Sequence, residues 1–147
     1  MAYRHPDRET IKRILEETDT IAVVGLSDKP DRTSYQVSAA MQAKGYRIVP
    51  VNPNADVILG ETCYKSLKDI PFPVDLVNVF RRSEYCADVA REAAEIGAKT
   101  LWLQLGIVSE EAAEIAEAAG MNVIMDRCIK VEDSILLPEG KPNRRSG

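Results

Sequence analysis

Short apolar runs that alternate with helix-length segments constrain this 147-residue chain more than any other feature. The first run, TIAVVG at 20–25, is unbroken in its apolar character, which is typical of a strand buried on both faces of a parallel sheet. Helix-like segments separate most of the runs, so the pattern predicts βαβ units with right-handed crossovers. The later runs lie at 46–53, 74–80, 99–106 and 121–126.

The segments between the runs carry helix start and stop signals, namely small polar residues before them and glycines after them. The first helix is expected to begin at Pro6-Asp7, and Thr33 or Ser34 is expected to cap the second. The predicted helices span 7–18, 34–45, 83–97 and 109–120.

Together these patterns predict an α/β fold: a single doubly wound domain whose mostly parallel sheet of about five strands carries helices on both faces. The segment 54–73 is too long for a structureless loop, so we expect a short strand near 62–64 and a helical turn near 65–70. The polar segment 138–147 is predicted to be a disordered tail.

Charge and cysteine content exclude several classes of protein. A net charge of −4 argues against nucleic-acid binding, which needs a dense field of Lys and Arg. Three scattered cysteines favour neither a disulfide framework nor a metal site and fit a reducing compartment. No stretch approaches the roughly 18 apolar residues of a membrane span, and the N-terminus lacks a signal-type run. We therefore expect a cytoplasmic protein that does not enter the membrane.

Ligands of an open parallel sheet bind beyond the carboxyl ends of its strands, where the strand order reverses. We therefore take the residues after each predicted strand as candidate binding residues. They are Gly25, Leu26, Ser27, Lys29, Arg32, Thr33, Ser34 and Tyr35 after the first strand, Asn52 and Pro53 after the second, Phe80, Arg81 and Arg82 after the third, Gln104, Leu105 and Gly106 after the fourth, and Asp126, Arg127 and Cys128 after the fifth.

The loop between the first strand and the second helix favours an anion. Thr33 to Tyr35 open the predicted helix, where backbone N–H groups and the positive end of the helix dipole meet. Lys29 and Arg32 add positive charge nearby. An ordinary solvated connection is the alternative interpretation of the same residues.

The loop departs from a dinucleotide fingerprint. Ser27 stands where the second glycine of G-x-G-x-x-G is expected, and the second strand ends in Val51-Asn52-Pro53, with no carboxylate for a ribose diol. These departures disfavour NAD. A ligand with a pyrophosphate and a phosphorylated ribose suits an uncharged strand end with basic residues nearby, and coenzyme A (CoA) carries both groups.

Five phrases in order, VVGLSDKPDRTSYQV, GYRIVPVNP, VDLVNVFRR, LWLQLGI and DRCIKVE, resemble the small stand-alone CoA-binding proteins of bacteria and archaea. These proteins resemble the CoA-binding domain of the succinyl-CoA synthetase α subunit. The resemblance covers about residues 7–137 and implies a Rossmann-like domain over 1–137 that binds CoA or an acyl-CoA.

The resemblance also implies roles for individual residues. It assigns the phosphates to Gly25, Ser27, Arg32, Thr33 and Ser34, the adenosine to Asn52, Pro53, Phe80 and Arg81, and the pantetheine side to Gln104, Leu105 and Gly106. The synthetase subunit bears a phosphorylated histidine in a second domain, whereas the single histidine here is His5. We therefore expect binding, with no catalytic residue and no metal, rather than ligase chemistry.

Several alternatives stay open at this stage. Cys128 beside Arg127 and Lys130 is a candidate for contact with the CoA thiol or for redox sensing. The chain could instead be an NAD(P)-linked oxidoreductase or redox sensor, or an acyl-CoA ligase subunit completed by another chain. The acyl group, the pathway, an unidentified protein partner and a homodimer are not decided by the sequence.

Overall fold

A parallel sheet of five strands forms the centre of the structure, a computed structural model that describes residues 3–140. Five α-helices surround the sheet within that range, and a short 3-10 turn covers Leu67–Asp69. In chain order the elements are α1 (Arg8–Glu17), β1 (Thr20–Val24), α2 (Thr33–Ala43), β2 (Arg47–Val51), β3 (Val57–Ile58), β4 (Glu61–Thr62), β5 (Leu76–Val79), α3 (Ser83–Glu95), β6 (Thr100–Leu103), α4 (Glu110–Ala118), β7 (Asn122–Ile124) and α5 (Ile129–Leu136).

The strand order of the sheet is β2-β1-β5-β6-β7, with every neighbouring pair parallel. The chain passes from β1 outward to β2 and then returns to the other side of β1 to form β5. The connections that leave β1 and β5 therefore diverge, and a crevice opens at the carboxyl ends of these two strands. This is the position where a doubly wound sheet binds its ligand.

Helices cover both faces of the sheet. On one face, Ile11 of α1, Met41 of α2 and Ile129 of α5 pack with Trp102 of the sheet. On the other face, α3 and α4 bury a cluster rich in alanine and valine. The predicted doubly wound α/β fold is confirmed.

The irregular segment after β2 extends the sheet edge by a single bridge. The Tyr64 N–H donates to the Pro50 carbonyl at 3.0 Å, and the Asn52 N–H donates to the Tyr64 carbonyl at 2.9 Å. The antiparallel pair β3–β4 precedes this bridge, and the 3-10 turn follows it. The strand and turn predicted within 54–73 are thus present in short form, and they bring residues 65 and 66 next to the carboxyl end of β2.

Two of the predicted helix caps agree with the structure. Asp7 caps α1 and Ser109 caps α4, each accepting a backbone N–H with its side chain. The predicted cap of α2 is wrong: Arg32 is the N-cap residue, and no side chain caps this helix. The Ser34 hydroxyl instead accepts the Ser27 N–H at 3.0 Å, so it stabilises the preceding loop.

Helix α5 was not predicted. Its amino end is fixed by the Gln104 side chain, whose Oε1 accepts the Ile129 N–H at 2.9 Å. Of the tail predicted over 138–147, residues 138–140 form a turn in which the Gly140 N–H donates to the Leu137 carbonyl. The rest of that tail lies outside the described residues.

Candidate functional site

Gly25 forms the floor of the crevice, directly after β1. Its N–H donates to the Val51 carbonyl at 3.0 Å, and its φ of +87° is unfavourable for any residue with a Cβ. A Cβ at this position would lie 2.6 Å from the Phe80 carbonyl oxygen. Only glycine therefore allows β1 and β5 to end this close together, and it leaves the backbone at the crevice floor without a covering side chain.

The loop after Gly25 is fixed by its own polar groups. The Leu26 side chain is fully buried, and the Leu26 carbonyl accepts the Asn52 amide N–H at 2.9 Å. The Ser27 N–H donates to the Ser34 hydroxyl, and the Ser27 hydroxyl accepts the Lys29 N–H, both at 3.0 Å. These bonds hold the loop in one shape and join it to the end of β2.

The amino end of α2 faces this loop without a side-chain cap. The first bond of the helix runs from the Gln36 N–H to the Arg32 carbonyl at 3.1 Å. The N–H groups of Thr33, Ser34 and Tyr35 precede that bond and lie at the positive end of the helix dipole. Together with the exposed Arg32 side chain, they are suited to hold an anionic group.

Two cavities open beside Gly25 and Asn52, which line both of them. The first has a volume of about 470 Å³ and the second about 390 Å³. The first is lined by Gly25, Ser27, Asp31, Arg32, Thr33, Ser34, Asn52 and Phe80. The second is lined by Val24, Gly25, Val51, Asn52, Pro53, Asn54, Lys65, Ser66, Leu67, Arg81, Val89 and Glu92.

The two cavities differ in character. The first, here called the loop cavity, is bounded by the β1–α2 loop and the amino end of α2. The second, here called the edge cavity, has an apolar floor that includes Val51, Leu67 and Val89, with charged residues around it. An extended ligand with an anionic centre and a flat end group fits two adjoining compartments of this kind.

Arg81 links the crevice to the edge cavity. Its Cδ lies 3.2 Å from the position that a Cβ on Gly25 would take, and its guanidinium lies 4.7 Å from the centre of the Tyr85 ring. The stacked guanidinium stays beside the end of β5 with its N–H donors available, a geometry suited to phosphate.

The structure brings together about half of the predicted binding residues. Those that line a cavity are Gly25, Ser27, Arg32, Thr33, Ser34, Asn52, Pro53, Phe80 and Arg81. Those that line neither of these two cavities are Leu26, Lys29, Tyr35, Arg82, Gln104, Leu105, Gly106, Asp126, Arg127 and Cys128.

Two members of the second group have side chains committed to the fold. Leu26 is a core residue, and Gln104 is 3% exposed with its carbonyl oxygen bonded to the backbone of α5. Leu105 is 69% exposed and Gly106 is anchored, because its N–H donates to the Asp126 carboxylate at 2.7 Å. This loop therefore offers exposed backbone and the Leu105 side chain, but not the Gln104 amide oxygen.

The cysteines differ in environment. Burial raises the pKa of the Cys63 and Cys86 thiols, and these thiols lie 3.4 Å from the Asn52 carbonyl and 3.5 Å from the Arg82 carbonyl. Both are therefore weakly reactive near neutral pH. Cys128 is half-buried at the N-cap of α5.

Sequence reasoning missed several cavity residues: Asp31, Asn54, Lys65, Ser66 and Glu92. Asp31 and Asn54 lie within loops that the sequence did place at the rim, so extending those ranges by one residue would have found them. Lys65 and Ser66 come from the segment 54–73. Glu92 comes from the third turn of α3. No motif signals these three residues, since only the tertiary fold brings them to the crevice.

Residues 3–140 contain neither a candidate metal site nor a candidate membrane span. No cluster of three or more His, Cys, Asp or Glu side chains there could hold a metal ion. No helix in that part of the chain combines the length and apolar character needed to span a membrane.

Comparison with known proteins identifies relatives over most of the chain. A family model described as "CoA binding domain" matches residues 19–134. YneT of Bacillus subtilis (strain 168) is 52% identical over 132 residues, which cover 90% of this chain and 98% of YneT. A solved structure of a hypothetical protein from Pyrococcus horikoshii OT3 superposes with a TM-score of 0.88 at 33% identity, covering 93% of this chain and 99% of that one.

A more distant relative is much longer. The α subunit of ADP-forming acetate–CoA ligase II from Pyrococcus furiosus is 30% identical over 122 residues, which cover 76% of this chain. The match spans 27% of that subunit. The chain thus corresponds to about a quarter of the ligase subunit, and to nearly the whole length of YneT.

Proposed function

This chain belongs to the CoA-binding domain family, and on that premise we propose that it binds coenzyme A or an acyl-CoA in the crevice between β1 and β5. The observation that carries the proposal is the uncapped amino end of α2 beside Gly25. A diphosphate placed there would accept backbone N–H bonds at the positive end of the helix dipole. The Arg32 and Arg81 side chains would balance its charge.

The two compartments support a placement for the rest of the ligand. We place the diphosphate in the loop cavity and the adenosine in the edge cavity, whose apolar floor suits a purine ring. The pantetheine arm runs toward the exposed Leu105 and the amino end of α5. In this arrangement Lys29, Tyr35 and Arg82 contact the outer side of the ligand, and Cys128 lies toward its thiol end.

NAD fits this crevice less well. The residue at the end of β2 is Asn52, and its side chain is already bonded at both ends, to the Leu26 carbonyl and to the Asn54 N–H. It cannot replace the carboxylate that receives the ribose diol of NAD without losing those bonds. Basic residues line the same region, which favours a phosphorylated ribose.

We propose that the chain binds without catalysis of its own and acts as a regulatory or carrier module. A second candidate function is that of a ligase subunit completed by another chain, which the relationship to the acetate–CoA ligase α subunit favours. Co-purification from native extract distinguishes the two, because the second candidate requires a partner chain that supplies the remaining ligase domains.

Calorimetric titration tests the binding proposal. CoA and acetyl-CoA are expected to bind with micromolar or better affinity and NAD at least about a hundredfold more weakly, because NAD lacks the ribose phosphate and meets no ribose-binding carboxylate. Equal affinity for NAD and CoA, or no heat with either CoA ligand, would overturn the assignment. We also propose that the protein is cytoplasmic, which fits its three free cysteines. Cell fractionation checks this location.

A further inference from the structure

We propose that Lys65 selects ligands that carry a phosphate on the ribose, through an ion pair between its ammonium group and that phosphate. The inference rests on the proposed CoA-binding function and names the residue that gives the site its preference. Nothing in the sequence pattern singles out Lys65, because it lies in the irregular segment 54–73.

The backbone fixes the position of Lys65. Its neighbour Tyr64 forms the bridge to Val51 and accepts the Asn52 N–H, so Lys65 lies one strand spacing outside the carboxyl end of β2. In sheets of this type the end of the second strand is the place where a bound nucleotide puts its ribose. Lys65 is therefore next to the expected ribose and not next to the diphosphate.

The edge cavity has hydrogen-bond donors near the expected position of the ribose. Lys65 lines it together with Asn54, and Leu67 contributes to its apolar floor. Glu92 of α3 lines the same cavity, and its carboxylate would repel a phosphate placed on the α3 side. Charge therefore favours a phosphate on the Lys65 side of the cavity and an uncharged ring on the α3 side.

The ammonium group is available for a ligand. Its Nζ lies 3.6 Å from an Asp56 carboxylate oxygen and 3.3 Å from the Ala55 carbonyl. The Lys65 side chain is 55% exposed and the Asp56 side chain 97% exposed, so this ion pair contributes little and is readily exchanged. The Ala55 contact holds the side chain beside the β2–β3 loop, which is the near side of the cavity.

The other cations are placed for a different phosphate. Arg32 lies at the N-cap of α2, and Arg81 lines the edge cavity only at its inner side, where its side chain lies beside Gly25 at the end of β1. Neighbouring strands are about 4.8 Å apart, so Lys65 is roughly two spacings, about 10 Å, from that diphosphate position. A ribose that carries the diphosphate on one oxygen and a single phosphate on another can bridge this distance. The diphosphate then lies near Arg32 and Arg81, and the single phosphate lies near Lys65.

Matched titrations of CoA and dephospho-CoA test this assignment. In Lys65→Gln, CoA affinity is expected to fall about tenfold, because a charge-assisted contact is lost, whereas dephospho-CoA affinity stays within about twofold of the wild type. Lys65→Arg is expected to retain the CoA affinity of the wild type, because arginine keeps the positive charge. Lys68→Gln is the control: Lys68 is similarly exposed, pairs with Glu95 at 3.4 Å and does not line the cavity, so CoA affinity does not change.

The outcomes separate this inference from the proposed function. If the wild type binds CoA and Lys65→Gln binds it with the same affinity, the Lys65 assignment alone is overturned. The same holds if Lys65→Gln weakens the binding of CoA and of dephospho-CoA equally. Failure of the wild type to bind either ligand overturns the proposed function and this inference with it. Thermal melting of each variant verifies folding, and the exposure of Lys65 predicts an unchanged Tm.

Discussion

The two ends of the central sheet use their polar groups in opposite ways. At the amino end, the Asp75 carboxylate accepts the N–H groups of Asp19 and Thr20 at 3.0 and 2.9 Å, which fixes the chain as it enters β1. At the carboxyl end, the first-turn N–H groups of α2 face a cavity, and no side chain caps that helix. The polar groups at the amino end are bonded internally, whereas these N–H groups at the carboxyl end face a cavity.

A buried charge cluster at the amino end shows the same contrast. The Asp133 carboxylate of α5 is 2% exposed, accepts the Tyr46 hydroxyl at 2.6 Å and pairs with the Lys44 ammonium at 2.8 Å. These contacts hold α5 against α2 and the start of β2. By comparison, Arg32 and Lys65 at the carboxyl end are exposed and have no buried partner among residues 3–140. The difference predicts that mutations at the amino end change stability and those at the carboxyl end change binding.

The largest effect is expected from Asp133→Ala. Removing this carboxylate takes away the charged acceptor that the Lys44 ammonium and the Tyr46 hydroxyl share, and leaves them the weaker contacts to the Ser134 hydroxyl and the Leu15 carbonyl, so the free energy of unfolding should fall by about 3 kcal/mol. Chemical denaturation measures this loss, and CoA affinity of the folded variant should stay within about twofold of the wild type. Asp88→Ala is the control, because its pair with Arg91 is exposed and contributes less than about 0.5 kcal/mol. A loss at Asp133 as small as that of the control would contradict the contrast.

Gly25→Ala is expected to combine both effects. The added Cβ meets the Phe80 carbonyl at 2.6 Å and the φ of +87° is strained, so the expected loss of stability is about 2 kcal/mol. The crevice floor is also displaced, and CoA affinity should fall more than about tenfold. Gly97→Ala isolates the strain, because Gly97 has a φ of +74° and no atom within 4 Å of its added Cβ. Wild-type CoA affinity in Gly25→Ala would break the link between this glycine and the ligand.

Arg32→Ala is expected to affect binding alone. Arg32 is exposed, so the Tm of the free protein should stay within about 1 °C, whereas CoA affinity should fall about tenfold through loss of a charge-assisted phosphate contact. Raising the salt concentration should reduce the difference in CoA affinity between Arg32→Ala and the wild type. Arg13→Ala on the exposed side of α1 is the charge-matched control. Equal weakening by both variants would show that net charge, and not the position of Arg32, determines affinity.

Thiol labelling gives the smallest effect. Burial raises the pKa of Cys63 and Cys86, so at pH 8 both remain mostly protonated and react slowly, and their labelling should increase as the pH rises toward 10. Half-buried Cys128 should therefore be modified first by iodoacetamide, as followed by peptide mass spectrometry. Saturating CoA is expected to slow labelling of Cys128 and not of Cys86. An unchanged rate at Cys128 would remove it from the proposed site.

Most of the fold was predictable from apolar patterning, and the exception has a physical cause. All five strands of the sheet lie within their predicted ranges because each is buried on both faces. Helix α5 was missed because its buried side contains Ile129 and the charged Asp133, whereas the apolar Val131 and Ile135 are exposed. A stripe with an aspartate in the core does not show the usual helical period.

The candidate site was predictable where it follows a strand or opens a predicted helix. Gly25, Asn52 and Arg81 were found by the first rule and Ser34 by the second, and all four line the cavities. Lys65 was missed because it reaches the site through one bridge between Tyr64 and Val51. The first rule also included Gln104, whose side chain fixes α5, because strand ends supply structural contacts as well as binding groups.

Amide chemical-shift mapping with CoA tests the contrast between the two ends most directly. We expect the largest shifts at Gly25 to Tyr35, at Lys65 and at Arg81, with those of Asp19, Tyr46 and Asp133 near zero, because the proposed ligand contacts only the carboxyl end. Largest shifts at the amino end of the sheet, or shifts spread evenly over both ends, would contradict this assignment.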